Sequence, residues 1–340
     1  MHNINIKELA KSLNLSTSTV SRAFRDNSDI NKATKARILA KAKELNYQPN
    51  HYASNLREQR SKTIAVIVPE LANNFFSQAI HGIERIAREK GYHILIFATE
   101  DDYEKEVSFI RHLHNGRADG IIMSVSGEAN DHTYLDELAE KRLPLVFFDR
   151  VYEDIITPRV ITNDYNSSFS ATRHLIKQGC ERIAYLVINK NLSIGKTRMQ
   201  GYLDALEEFK IPYDEKLVID CTNSYRKNST ILKNMLTKIQ PDGVFTSVER
   251  LAFATYYASY ELNISIPKDL KVIGFSSLEI APLLNPSLTT ITQPATKIGI
   301  EAAALLFKML EEPGTVDLNC KVVLDSTLVK RASTARPKSL

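Results

Sequence analysis

Leu15-Ser16-Thr17-Ser18-Thr19-Val20-Ser21-Arg22 is the stretch on which the reading of this chain turns. Just upstream, Ile6, Leu9, Ala10 and Leu13 fall at i, i+3, i+4 and i+7, one face of a helix. Asn14 adopts the left-handed conformation readily and suits the end of that helix. Ser16 suits the cap of a second helix, whose inward face is Val20, Ala23 and Phe24. Thr17, Ser18, Ser21 and Arg22 then point outward, short hydrogen-bonding groups followed by a forked cation. That is the composition of a helix that reads base edges in a major groove. Eight residues alone also fit a capped helical hairpin with no nucleic-acid partner, so the rest of the chain has to decide.

Charge supports the first reading. Residues 1–62 carry twelve Lys or Arg against five acids, a net +7, while the remainder carries −3. The overall +4 conceals this basic head on a mildly acidic body, the footprint of a polyanion binder. The 340 residues exceed the usual single core, and 43% hydrophobic with 25% charged residues is ordinary globular composition. Cys180, Cys221 and Cys320 are widely spaced and form no CxxC or CxxH, which argues against structural zinc and for a reducing compartment. The N-terminus is polar within a few residues and no stretch approaches a membrane span. A cytoplasmic protein with neither metal nor cofactor is expected.

Beyond Ser21 the head continues with a loop, Arg25 to Ile30, and a third helix capped by Asn31, with Ile38, Ala42 and Leu45 on one face. Asn46-Tyr47-Gln48-Pro49-Asn50 is an extended exit. His51 to Arg57 makes about two turns of helix with no apolar stripe, too short to be stable alone. Leu56 is its one large apolar side chain, either a linker leucine packed on the body or a wedge between base pairs.

From Thr63 the pattern changes. Thr63-Ile64-Ala65-Val66-Ile67-Val68 reads as a strand buried on both faces. Helices and strands then alternate: helix 74–90, strand 92–98, helix 103–114, strand 120–124, helix 135–141, strand 144–148. The alternation restarts with strands at 160–162, 182–187, 217–219, 243–245 and 270–275, and helices at 167–178, 196–209, 227–238, 249–262 and 295–310. A last strand is expected over Lys321 to Val329. This describes two doubly wound parallel-sheet α/β halves with a ligand cleft where the carboxyl ends of their strands face each other.

At this point the chain resembles the LacI/GalR family of bacterial transcription repressors, from Ile4 to about Ser333. The match is most specific in Leu15 to Ala23, Leu45 to Asn50 and Ala53 to Arg57. Further agreement lies in Arg117 to Ile122, Arg198-Met199-Gln200-Gly201-Tyr202, Leu288 to Pro294 and Leu328 to Ser333. The resemblance implies a small all-α helix-turn-helix head over residues 1–48, a hinge helix and linker over 49–62, and an α/β periplasmic-binding-protein-like effector and dimerisation domain over 63–340. Its halves would be 63–161 plus 293–320 and 162–292 plus 321–340, with crossings near Thr162, Ile291 and Lys321.

The resemblance also implies a homodimer on a pseudo-palindromic, double-stranded operator. Thr17, Ser18 and Arg22 would read bases; Ser16, Thr19, Ser21 and Asn50 would hold phosphates; Leu56 would wedge into the minor groove, usually at a CpG step. Phe75, Phe76, Arg150, Asp164, Arg198, Ser276 and Gln293 would line or border the cleft and take a small-molecule effector, a sugar or sugar derivative. Phe75 and Phe76 as helix-face core, and Arg150 as a structural ion pair, fit the sequence as well.

Three positions depart from the family pattern. Ser276 stands after Ile273-Gly274-Phe275 where many members have an acid; Asn163-Asp164 reverses the usual Asp-Asn; and Val248-Glu249 replaces a common Asn-Asp. A serine gives up charge-assisted bonds to sugar hydroxyls, so an effector other than a simple sugar, or a weaker one, is expected. Catalysis is not expected, since there is no G-x-S-x-G, P-loop, G-x-G-x-x-G or H-E-x-x-H. Two rivals are a sugar-binding protein without regulation, which does not explain the basic head, and an enzyme fused to a DNA-binding domain.

Overall fold

In the computed structural model the described residues are 4–24, 30–47, 60–113, 116–127, 131–188 and 190–336. The chain divides into two compact units, residues 1–61 and 62–340. Asn50, Leu56 and the expected hinge helix lie outside the described residues.

The first unit holds three helices, α1 (Ile6–Leu13), α2 (Thr17–Ala23) and α3 (Lys32–Glu44). Each begins on a side-chain cap. Asn5 and Glu8 form a reciprocal capping box on α1, Ser16 Oγ accepts Thr19 N–H at 3.1 Å, and Asn31 Oδ1 accepts Ala33 N–H at 2.9 Å. Asn14 closes α1 in the left-handed region, φ 53°, as its side chain allows. Leu9, Ala10, Val20, Ala23, Ile38 and Ala42 are buried together, and Phe24 and Tyr47 close the cluster with ring centroids 5.6 Å apart. Arg37 donates to the carbonyl of Leu13 at 2.9 Å, fastening α3 to the end of α1.

The second unit contains two six-stranded sheets. The strands and helices of the first half are β1 (Thr63–Val68), α4 (Asn74–Glu89), β2 (His93–Ala98), α5 (Tyr103–Leu113), β3 (Gly120–Met123), α6 (Thr133–Glu140), β4 (Leu145–Phe148) and β5 (Arg159–Thr162). The second half runs α7 (Asp164–Lys177), β6 (Ile183–Val187), α8 (Ser193–Glu208), β7 (Val218–Asp220), α9 (Tyr225–Asn234), β8 (Gly243–Thr246), α10 (Glu249–Glu261), β9 (Lys271–Phe275) and β10 (Thr289–Thr292). The chain ends with α11 (Ala295–Glu311), β11 (Lys321–Leu324) and β12 (Thr327–Val329). The sheet orders are β11-β5-β4-β3-β1-β2 and β12-β10-β9-β8-β6-β7.

Strand alternation builds a core on each face. Ile64, Val66 and Val68 pack under α4 and α11, whereas Ala65 and Ile67 face Ile110, Leu113 and Leu138. In the second half Ala184 and Leu186 meet Leu232 and Leu251, while Ile183, Tyr185 and Val187 meet Leu175, Tyr202 and Leu206. Two helix pairs approach closely through glycine. A Cβ on Gly82 would stand 2.2 Å from the carbonyl oxygen of Thr296, and one on Gly299 would stand 2.0 Å from that of Ala79. Gly201 lets α8 reach the backbone of α7 in the same way.

The expected single strand over Lys321 to Val329 is two strands in different halves, which corrects the division near Lys321. β11 pairs in parallel with β5, Lys321 opposite Arg159 through Leu324 opposite Thr162, so residues 321–324 belong with the first half. β12 pairs with β10 in the second sheet. The apolar run is interrupted by Asp325-Ser326, and both polar residues are held by Asn163: its Nδ2 donates to Asp325 Oδ1 at 2.8 Å, and its Oδ1 accepts Ser326 N–H at 2.9 Å. Nor is the second sheet wholly parallel, since β12 runs antiparallel to β10. Topology requires it: β10 leaves its half through the hinge at its carboxyl end, and β12 enters through that same hinge.

Candidate DNA-reading helix and ligand cleft

On α2 the burial alternates as the pattern demands. Val20 and Ala23 are buried, Ser16, Thr17, Ser18 and Arg22 are exposed, and Thr19 and Ser21 are half-buried. Ser16 is committed locally, its Oγ capping Thr19 N–H and lying 2.8 Å from the hydroxyls of both Ser18 and Thr19. This small hydroxyl network orders the first turn and leaves Thr17 and Arg22 at its edges.

The cleft of the second unit forms where β1, β4, β8 and β9 end, the crevice expected of open parallel sheets. It encloses about 420 Å³ of space continuous with solvent, and Asn73, Phe75, Phe76, Asp149, Arg150, Arg198, Glu249, Phe275, Ser276 and Gln293 are among its walls. Six of the seven expected residues therefore line it: Phe75, Phe76, Arg150, Arg198, Ser276 and Gln293. The seventh, Asp164, stands behind Arg198 and borders the cleft through it.

Arg198 is 3% exposed and held by an ion pair, a backbone carbonyl and a ring face. Its Nε donates to Asp164 Oδ1 at 2.6 Å, one terminal nitrogen donates to the carbonyl of Ser247 at 2.6 Å, and the guanidinium lies 3.7 Å above the Phe275 ring. A planar cation so stacked presents its remaining edge to the cleft. Asp164 also accepts from Thr162 at 2.9 Å, which fixes the carboxylate. Arg150 donates to Asp101 Oδ1 at 2.5 Å and to the carbonyl of Ser126 at 3.3 Å, while its buried Nε has no partner within the protein. Phe75 and Phe76 are helix-face core and also reach the wall of the cleft. They are 8% and 3% exposed and packed edge-to-face with each other, Phe76 also against Phe148, yet their rims reach the cleft.

Asp149, Asn73 and Phe275 belong to the cleft without having been expected there, and Glu249, noted in the sequence only as a departure from the family pattern, is a wall of it as well. Asp149 directly follows β4 in the left-handed region, φ 59°, which turns its side chain away from the strand. Burial pushes its carboxyl up to about 6, against the pull of the Arg198 and Arg150 cations. Glu249 opens α10 and accepts Asn74 Nδ2 at 2.5 Å across the cleft and the hydroxyl of Ser276 from its own half. The signal available was positional: each acid is the first ionisable group after a buried strand.

Further bonds cross between the halves. Gln78 Nε2 donates to the carbonyl of Ser277 at 2.8 Å, Asn223 Nδ2 donates to Asp101 Oδ2 at 2.8 Å, and Arg250 pairs with Glu70. Among the described residues no group of three metal-ligating side chains is assembled, and no helix is long and apolar enough to cross a membrane. The three cysteines are free thiols, with burial pushing Cys180 and Cys221 up to about 12.

A capped helix-turn-helix followed by two hinged parallel-sheet halves around a ligand cleft defines a DNA-binding regulator with a periplasmic-binding-protein-like effector domain. Comparison with known proteins agrees. Residues 5–50 match the family model described as bacterial regulatory proteins, lacI family, and residues 61–325 match that described as periplasmic binding proteins and sugar binding domain of LacI family. The chain belongs to the LacI family of transcriptional regulators. It is 29% identical over 331 residues to the HTH-type transcriptional regulator DegA of Bacillus subtilis, covering 97% of this chain and 98% of that one. It is 30% identical over 312 residues to the HTH-type transcriptional repressor PurR of Photobacterium profundum, covering 90% and 92%. The structure of a LacI family transcriptional regulator from Enterococcus faecium with bound ribose is similar, with TM-score 0.71 and 27% identity over 81% of this chain and 100% of that one.

Proposed function

We propose that the protein represses transcription as a cytoplasmic homodimer on a pseudo-palindromic operator, and that a polyhydroxylated small molecule, a sugar or sugar derivative, controls it from the cleft. Residues 1–48 form the DNA-binding head, 49–62 the hinge and 63–340 the effector and dimerisation domain. Thr17, Ser18 and Arg22 read base edges; Ser16, Thr19, Ser21 and Asn50 hold phosphates; Leu56 enters the minor groove at the dyad. It acts by binding, with no catalytic step.

The observation that carries the DNA reading is the exposed edge of α2, where Thr17, Ser18 and Arg22 project from a helix whose other face is locked into the core. A second copy is supported by β2, an edge strand whose Leu95 and Ile96 are exposed. The polyol reading is supported by a cleft that alternates charged donors and acceptors with aromatic rims, and by the ribose in the Enterococcus relative. The buried Nε of Arg150 is a donor suited to a ligand oxygen.

Selection of operators from random duplexes by the purified protein, repeated with Leu56→Ala, tests this. A palindrome with a central CpG step, bound more weakly by the variant, is the expected result. Enrichment of no sequence at moderate salt refutes the specific reader, and enrichment of an asymmetric single half-site refutes the dimer.

A further inference from the structure

The carboxylate of Glu249 is placed as a ligand acceptor rather than as half of an ion pair. It stands on the first residue of α10, where the helix N-terminus favours a negative charge. Both of its partners are neutral donors: Asn74 Nδ2, from the start of α4 across the cleft, on Oε1 at 2.5 Å, and the hydroxyl of Ser276 on Oε2. Ser276 Oγ meanwhile accepts Leu278 N–H at 3.2 Å, so its own proton is left to point at Glu249. The adjacent cation, Arg250, is turned to Glu70 and to the carbonyl of Asn223. Each carboxylate oxygen accepts about two hydrogen bonds, so each oxygen of Glu249 retains capacity on the cleft side.

The two arginines of the cleft are in the opposite condition. Arg198 is matched by Asp164 and Arg150 by Asp101, each at 2.6 Å or less. With those charges balanced, the acids Glu249 and Asp149 set the sign of the cleft. Hydroxyl protons of a neutral ligand find acceptors there, whereas a ligand carboxylate or phosphate meets like charge in a partly desolvated space, beside arginines whose charges are already matched by Asp164 and Asp101. Resting on the effector reading above, we infer that Glu249 is the specificity-determining acceptor of this site, gripping hydroxyls of an uncharged polyol and excluding its anionic counterparts.

The test uses the full-length protein in calorimetric titration and thermal unfolding with D-ribose, D-glucose and cellobiose. Ribose 5-phosphate, glucose 6-phosphate and glucuronate serve as charged counterparts. The wild type is expected to bind a neutral member and to reject its anionic form. Glu249→Gln lowers affinity for the neutral sugar by about tenfold or more and narrows the neutral-to-anionic ratio by a similar factor. Combining Glu249→Gln with Ser276→Asp moves the carboxylate to the other side of the same hydrogen bond and restores most of the preference, which a merely structural role would not do. Operator binding and melting without ligand confirm that each variant is folded. If Glu249→Gln does not fold, Glu249→Asp carries the test, weakening the neutral sugar while keeping rejection of the anion. Equal binding of a neutral sugar and its anionic form by the wild type overturns the inference. So does an equal loss for both in Glu249→Gln without rescue. Failure of every probe to shift the wild type overturns the polyol reading itself, and the role of Glu249 with it.

Discussion

Asp149 offers the sharpest physical test of the cleft. It lies at the carboxyl end of β4 with its backbone N–H donated to Val160 at 3.0 Å and its side chain 6% exposed. Burial raises its carboxyl from 3.8 to about 6, while Arg198 and Arg150 oppose the rise and Gln293 Nε2, at 3.5 Å, gives little support. An acid with a raised value in the folded state is held best when protonated. Its favourable contribution is full below 3.8 and is lost as pH climbs through about 6. The whole rise corresponds to about 3 kcal/mol, of which roughly half, about 1.4 kcal/mol, falls between pH 5 and 7.5. Asp149→Asn keeps the shape and removes the titration. Its stability relative to wild type should therefore increase by about 1.4 kcal/mol from pH 5 to pH 7.5. Urea unfolding followed by circular dichroism, both proteins in parallel so that the other groups cancel, reads this difference. An offset equal at both pH values, or one that turns against the variant at pH 7.5, would refute the reasoning and show that the arginines, not burial, dominate. A ligand hydroxyl donated to Asp149 favours the ionised form, so wild-type affinity should strengthen as pH rises through about 6.

Three further outcomes are expected. Arg22→Ala should flatten base preference at one operator position by about 1–3 kcal/mol while leaving low-salt, non-specific binding nearly intact, as competition between matched and mismatched duplexes will show. Arg198→Lys keeps the charge but loses the fork to Asp164 and Ser247 and the stack on Phe275, so stability in urea should fall by about 1–3 kcal/mol and calorimetric ligand binding should weaken with it. Gly82→Ala would place a Cβ 2.2 Å from the backbone oxygen of Thr296, forcing α4 and α11 apart at a cost of about 1–3 kcal/mol in urea unfolding.

What was legible in the sequence is what depends on near neighbours. Ser16 and Asn31 cap, Asn14 turns left-handed, and the period of Ile6, Leu9 and Leu13 sets the inner face of α1, because each is decided within one or two turns. The continuous apolar strands were legible for a similar reason, since burial on both faces leaves no alternation. The run from Lys321 to Val329 misled because its break is enforced from afar, by Asn163 holding Asp325 and Ser326. The part the cleft acids play was illegible for the same reason. Ser276, read alone, signals the loss of a charge; the compensating carboxylate sits 27 positions earlier and meets it only in the fold. Arg150 and the phenylalanine pair had two readings each because each is bonded or packed on one side and open to the cleft on the other.

The cleft and the hinge share side chains, and this is how occupancy can become motion. The first crossover passes through Thr162 and Asn163, the second through Gln293, the third through Asp325 and Ser326. Gln293 Nε2 donates to Thr162 Oγ1 at 3.2 Å, Thr162 donates to Asp164 at 2.9 Å, and Asp164 holds Arg198. Asn163 ties the third crossover to the first. A ligand that re-aims Arg198 or draws Gln293 therefore acts on every strand joining the halves. The bonds of Glu70 with Arg250, Gln78 with Ser277 and Asp101 with Asn223 oppose any change of angle, so a change would have to exchange this set of contacts for another rather than bend it gradually. Under the proposed function the ligand biases that choice only by its difference in affinity for the two packings, and couplings of about 1–3 kcal/mol are usual. Asn163→Ala would release the third crossover from the first while touching no cleft wall. It should leave ligand affinity within a few fold yet reduce the ligand's effect on operator binding, and an unchanged effect would show that the crossovers do not carry the coupling.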